Sequence, residues 1–162
     1  MFALKKLPPE AIPAAMDRAE QYRREEQPEE AESICHDVLR VDPDNQRALA
    51  ILLLALADRA GQGTPSLGLQ PREILPKFRD PYDRAYYGGI VAERRALAML
   101  HSRGPDSDAY DDLREAMDDY EIAGELRPGD ADASLRWNAC ARLIEAYHLE
   151  PHAPEPLAPQ AE

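Results

Sequence analysis

The chain is short of almost everything that marks a catalyst, a secreted domain or a membrane protein. It has only two cysteines, Cys35 and Cys140, with no second Cys or His at metal-ligand spacing from either. Each falls inside a helical pattern, so both are expected to be buried reduced thiols; a disulfide or a reactive site is the other reading. The longest apolar run, residues 48 to 57, is about half of the ~20 residues needed to cross a bilayer. The first nine residues, Met1-Phe2-Ala3-Leu4-Lys5-Lys6-Leu7-Pro8-Pro9, carry charges without an apolar core and are not expected to be a secretory signal. These absences together predict a cytoplasmic protein.

Positive charge is also scarce. The formal net charge is −12, with acidic residues spread along the chain, and such a surface repels phosphate backbones and anionic lipids. No nucleic-acid or membrane partner is expected. Phosphate-binding loops are missing as well. Gly61-Gln62-Gly63 lacks a third glycine and a preceding strand, and neither a Gly-Lys-Ser/Thr nor a Gly-x-Ser-x-Gly sequence occurs.

What the chain has is helix-forming residues. Ala, Leu, Glu and Arg abound, while Val, Ile, Thr and Phe are few, a balance that favours helix over strand. At 162 residues one domain is the default, large enough to fold without staples. Apolar residues at 3.6-residue spacing, read with the caps, predict six main helices. The first covers residues 13 to 26, the second opens at Pro28 and carries its apolar face to Leu39, and the others cover residues 46 to 60, 83 to 102, 106 to 126 and 130 to 149. The third is apolar nearly all round and should be central. Between the third and fourth, residues 61 to 82 hold Gly61, Gly63, Gly68, Pro65, Pro71, Pro76 and Pro81, too many breakers for a long helix. Leu67, Leu69, Ile74, Leu75 and Phe78 predict that this connection packs on the bundle, with one short turn near residues 72 to 78. Residues 150 to 162, with four prolines in thirteen, should be an extended or disordered tail.

Two stretches about 85 residues apart share one grammar. In each a small Ala (Ala31, Ala116) is followed four residues on by a larger packing residue (Cys35, Tyr120) and twelve on by a Pro (Pro43, Pro128). A capped turn then leads to another helix. This pattern resembles the second helix and exit turn of a tetratricopeptide (TPR) repeat. Ala19, Tyr22, Ala31 and Pro43 stand at that family's spacing over residues 12 to 45, although Ala15 and Arg18 replace its usual Trp and Leu. In the second unit Tyr87, Gly88 and Val91 stand where the family has a large residue, a small one and an aromatic. There Gly88 and Ala116 are 28 residues apart instead of the family's twelve, a repeat with lengthened helices.

The resemblance implies an all-α fold of TPR-like antiparallel helical pairs (an α-α superhelix), ending in a C-terminal capping helix over residues 130 to 149. Such stacks curve, and their first helices line a groove that suits a segment of another protein. The groove residues this implies are Arg18 and Gln21 on the first helix, Arg47 and Ile51 on the third, and Arg84, Arg94 and Arg95 on the fourth. There the arginines would meet acidic groups through forked hydrogen bonds, or else be solvated residues of an acidic protein. Ala19, Tyr22, Ala31, Pro43, Gly88, Ala116, Tyr120 and Pro128 would be repeat-packing residues. Gly88 and Gly89 inside a helix cost about 1 kcal/mol each against Ala, so either close helix packing or a backbone surface open to a ligand should require them.

No catalytic residue, cofactor or metal is expected. Glu145-Ala146-Tyr147-His148 has the Glu-x-x-His spacing of di-metal bundles, but none of His36, His101 and His152 has a Glu three residues earlier. Adjacent acids such as Asp118-Asp119 point to different helix faces and read as solvated surface. The expectation is therefore a cytoplasmic interaction module, bacterial in style, holding a protein or peptide partner. A self-assembling homo-oligomer is the alternative, and a small metal-binding enzyme comes third.

Overall fold

The computed structural model describes residues 1–60, 62 and 68–153. Among them the fold is all-α, with no strand: α1 (Ile12–Arg24), α2 (Pro28–Val41), α3 (Gln46–Asp58), α4 (Pro71–Ile74), α5 (Pro81–Arg103), α6 (Ser107–Leu126) and α7 (Asp132–Ala146), plus single 3-10 turns at Pro9–Ala11 and Leu75–Lys77. The six long helices fall where periodicity and caps put them, and the short turn expected near residues 72 to 78 is α4 with its 3-10 extension.

Local chemistry explains most of the boundaries. Pro occupies the first turn of α1, α2, α4 and α5, where its missing N–H costs nothing. The Asn45 side chain caps α3 by accepting from the Ala48 N–H at 2.9 Å, and Asp80 and Asp106 do the same for α5 and α6. The last helix is shorter than expected: α7 ends at Ala146 because His148 adopts a left-handed φ of 51°. Residues 147 to 149 therefore fold back as a turn, and Leu149, 7 % exposed, closes the end of the core.

The helices form two sheaves. In the first, α2 packs against both α1 and α3; in the second, α6 packs against both α5 and α7. Each sheaf has its own core. Met16, Ala19, Ala31, Cys35, Val38, Leu49, Leu52 and Leu53 fill the first, and Ile90, Leu100, Leu113, Ala116, Tyr120, Ala123 and Cys140 fill the second. Helix α3 joins them by packing on α5. The connection also packs down as expected: Ile74 and Phe78 are buried in the first core, and the Phe78 ring stacks on Tyr87 of α5 at 5.0 Å. Leu67 lies outside the described residues, as does the tail from residue 154 onward.

Each sheaf also contains a buried charge. In the first, the fully buried Glu32 of α2 pairs with Arg59 at the end of α3, and Glu29 approaches the same guanidinium at 3.5 Å. In the second, Glu93 of α5 accepts from Tyr120 Oη at 2.5 Å and from Arg136 Nη1 at 3.2 Å, and Arg136 Nε donates to Tyr86 Oη at 3.0 Å. A buried carboxylate persists only when paired this way. The bond ties Tyr120 to α5 at a place where nothing larger than glycine fits. A Cβ on Gly89 would lie 2.5 Å from Tyr120 Cε1.

This gives a matched pair of expectations for urea unfolding. Gly89→Ala gains about 1 kcal/mol of helix propensity but overpacks against a fixed ring at a cost of about 1–3 kcal/mol, so the protein is destabilised. Gly124→Ala, also within a helix but with open space around its would-be Cβ, stabilises by up to about 1 kcal/mol. Equal shifts in the two midpoints would contradict the close approach.

Candidate functional site

The expected groove residues do not come together as one free surface. Arg47 reaches back to α1, with Nη2 at 2.8 Å from Asp17 and 3.0 Å from Glu20. Arg95 forks onto α6, at 2.7 Å from Asp112 and 2.8 Å from Glu115. Arg94 faces Asp58, which also holds Arg23 at 2.8 Å. Arg84 donates to the Phe78 carbonyl at 2.6 Å and so fastens the connection to α5. Arg18 lies over Tyr22 and donates to Gln21 at 3.4 Å, while Gln21 donates to Glu25 at 2.8 Å. Ile51 is 4 % exposed and belongs to the first core, so it has no surface for a partner. The reason lies in α3, which packs against α1, α2, α4 and α5 and buries Ile51 with most of its other residues.

Ala19, Ala31 and Ala116 are fully buried, Tyr120 is 1 % exposed, Tyr22 is partly buried, and Pro43 and Pro128 occupy the exposed turns after α2 and α6. The two adjacent glycines divide the readings open to them. Gly89 accommodates the Tyr120 ring, which is close packing. Gly88 instead forms part of the wall of an open cleft of about 670 Å³.

That cleft lies where the two sheaves meet, between α3, α4, α5 and α6. Its apolar surface comes from Leu56, Ala57, Leu75 and Val91; Arg72, Arg95, Glu115 and Asp119 contribute the charges. Asp119 comes so near Gly88 that a Cβ there would lie 2.8 Å from the carboxylate oxygen. It is half-buried and has no hydrogen bond or ion pair among the described residues. Burial first, and then the neighbouring charges of Glu115 and Asp118, push its pKa up from an ordinary 3.8 to about 6. Arg95 cannot relieve it, being already shared by Asp112 and Glu115. The arrangement is an amphipathic recess with one under-solvated carboxylate, suited to an apolar group that bears a cation.

Asp118 and Asp119 do point to different faces, as adjacent helical residues must, but only Asp118 is fully solvated. The sequence carried a signal beside this site, the paired helical glycines Gly88 and Gly89, but nothing in it tied Gly88 to Asp119, which approaches it only in the fold. Glu145 and His148 do not share a helix face, because His148 lies beyond the end of α7. Asp108, Asp111 and His152 bring one ligand atom each within 4.8 Å, but all three are exposed and pair as an ordinary surface ion cluster at 3.0 and 3.4 Å. Both cysteines are buried and free, and burial pushes each thiol up to about 12, away from reactive thiolate. Among the described residues no helix is long and apolar enough to cross a membrane.

No protein-family model matches the chain, and neither a curated protein nor a solved structure matches it.

The state of Asp119 has a measurable consequence. A carboxyl whose folded pKa is raised contributes stability below its unfolded pKa, and that contribution is lost as pH rises through the folded value. Asp119→Asn should therefore unfold at higher urea than wild type at pH 7.5, and the gap should close by about pH 4. Identical midpoints at both pH values would mean a solvated carboxylate.

Proposed function

We propose that the chain is a protein-interaction module of tetratricopeptide-repeat type, which holds a segment of a protein partner and performs no catalysis. The observation that carries this reading is the cleft: a recess between two helical sheaves, apolar on its floor, with an unpartnered carboxylate in its wall. Pockets of a few hundred Å³ with a few polar groups among apolar ones are the usual form of a binding site. The repeat grammar adds to it. Ala31 and Ala116 take equivalent places in α2 and α6, each the middle helix of its sheaf and each fully buried. The two free, buried thiols fit a reducing compartment such as the cytoplasm.

This reading departs from the arginine-lined groove that the resemblance implies. An arginine already forked onto Asp or Glu offers little to an acidic ligand, because binding would first break the existing pair. Among the described residues one unpaired charge of each sign is left at the cleft, Arg72 exposed to solvent and Asp119 half-buried in the wall; the half-buried carboxylate is the one short of solvation, so the segment recognised should be apolar and basic.

The test is selection from a displayed peptide library with wild-type protein as bait, followed by affinity measurement on two variants. Gly88→Leu places a side chain in the cleft, and Arg47→Ala removes a residue of the arginine groove. Circular dichroism establishes that both are folded. Selected segments should combine a large apolar residue with Lys or Arg, lose binding to Gly88→Leu by tenfold or more, equivalent to about 1.4 kcal/mol, and bind Arg47→Ala normally. Acidic segments lost on Arg47→Ala would return the site to α1 and α3, and a library that yields no binder would contradict the module.

A further inference from the structure

We infer that the segment this cleft accepts is the N-terminal segment of a second copy of the same chain, so that the protein assembles by reciprocal exchange. The inference rests on the proposed role of the cleft and goes beyond it by naming the occupant. Met1, Phe2 and Leu4 are 125 %, 98 % and 70 % exposed, and among the described residues the other large exposed apolar side chains are Ile122, Leu126 and Leu135 on α6 and α7. Immediately after them stand Lys5 and Lys6, two of the three lysines in a chain of net charge −12. Neither has an ion-pair partner among the described residues. The segment is thus apolar and basic on an acidic protein, and the cleft is apolar with an unpaired carboxylate. Each supplies what the other lacks.

The local backbone presents the segment outward. Leu7 packs against the first core, and Pro8, extended at φ −68° and ψ 141°, leads into the 3-10 turn before α1. The preceding residues are thereby anchored at one end and carry no helix or turn of their own. A large side chain from Phe2 or Leu4 would cover Leu56, Leu75 and Val91, and a lysine ammonium would meet Asp119. The ammonium beside Asp119 would offset by charge pairing the desolvation that raises its pKa. Arg72, the other cleft residue without an ion pair among the described residues, is exposed to solvent, where water screens its repulsion of the lysine. Because each copy has one segment and one cleft, reciprocal exchange closes a two-fold dimer.

Two experiments on the 162-residue chain test this. Sedimentation equilibrium at low salt, from low to high micromolar protein, should show a reversible dimer. Its dissociation constant should rise tenfold or more for Phe2→Ser/Leu4→Ser and for Asp119→Asn. Separately, a fluorescein-labelled synthetic peptide of residues 1–8 is titrated with the Phe2→Ser/Leu4→Ser protein, whose cleft is intact. It should bind, and adding Asp119→Asn to that background should weaken it about tenfold. Failure of the peptide to bind, with wild type monomeric throughout, overturns the self-recognition. If library-selected foreign segments still occupy the cleft in that case, the binding module itself stands. A peptide that binds while wild type stays monomeric at every concentration would put the segment in its own cleft and overturn the exchange.

Discussion

The approach of α6 to α5 at Gly89 and Tyr120 is the constraint on which the rest of the structure depends. An aromatic ring lies where a Cβ would have to be, and its hydroxyl donates to a buried carboxylate one turn further along α5. Helices this close place the next outward residue of α6, Asp119, directly against the bare backbone of Gly88. One close contact therefore sets both the core of the second sheaf and the wall of the cleft. Without Gly89 the ring must move, and with it the carboxylate that gives the cleft its charge.

Charge in this protein is organised from the inside outward. Glu32 and Glu93 are buried and each is answered by an arginine, Arg59 and Arg136, from another helix of the same sheaf. Removing one partner of such a pair costs about 3–5 kcal/mol because a buried charge is left unanswered, so these pairs specify which helices sit together. The outer arginines do lighter work of the same kind: Arg47 links α3 to α1, and Arg95 links α5 to α6. With Arg95 taken up by Asp112 and Glu115, Asp119 is left without a partner among the described residues. The unmet charge is what turns a gap between helices into a recess with a chemical preference.

Much of this was legible in the sequence, and the reasons are physical. Helix positions followed from apolar spacing and local capping signals, which act within a few residues and need no tertiary context, although Asp80 caps α5 so that it starts two residues before the expected 83. The end of α7 was read too late because a left-handed His148 gives no warning in side-chain pattern. Ile51 was placed on a surface because a single helix cannot report how many neighbours cover it, and α3 packs against α1, α2, α4 and α5. The pairing of Arg47 and Arg95 was unreadable, since their partners lie 17 to 30 positions away. Gly88 and Gly89 were flagged together, and only packing could separate the one that admits a ring from the one that opens the cleft.

The central claim is that the helix approach leaves an under-solvated, unpartnered carboxylate in the cleft wall. It is tested most directly by following the side-chain carboxyl carbon of Asp119 by NMR as a function of pH in the wild-type protein under conditions where it is monomeric. The account predicts a midpoint near 6, well above the ordinary 3.8. A midpoint at the ordinary value would show Asp119 bathed in water, and the cleft would lose the feature that selects its occupant.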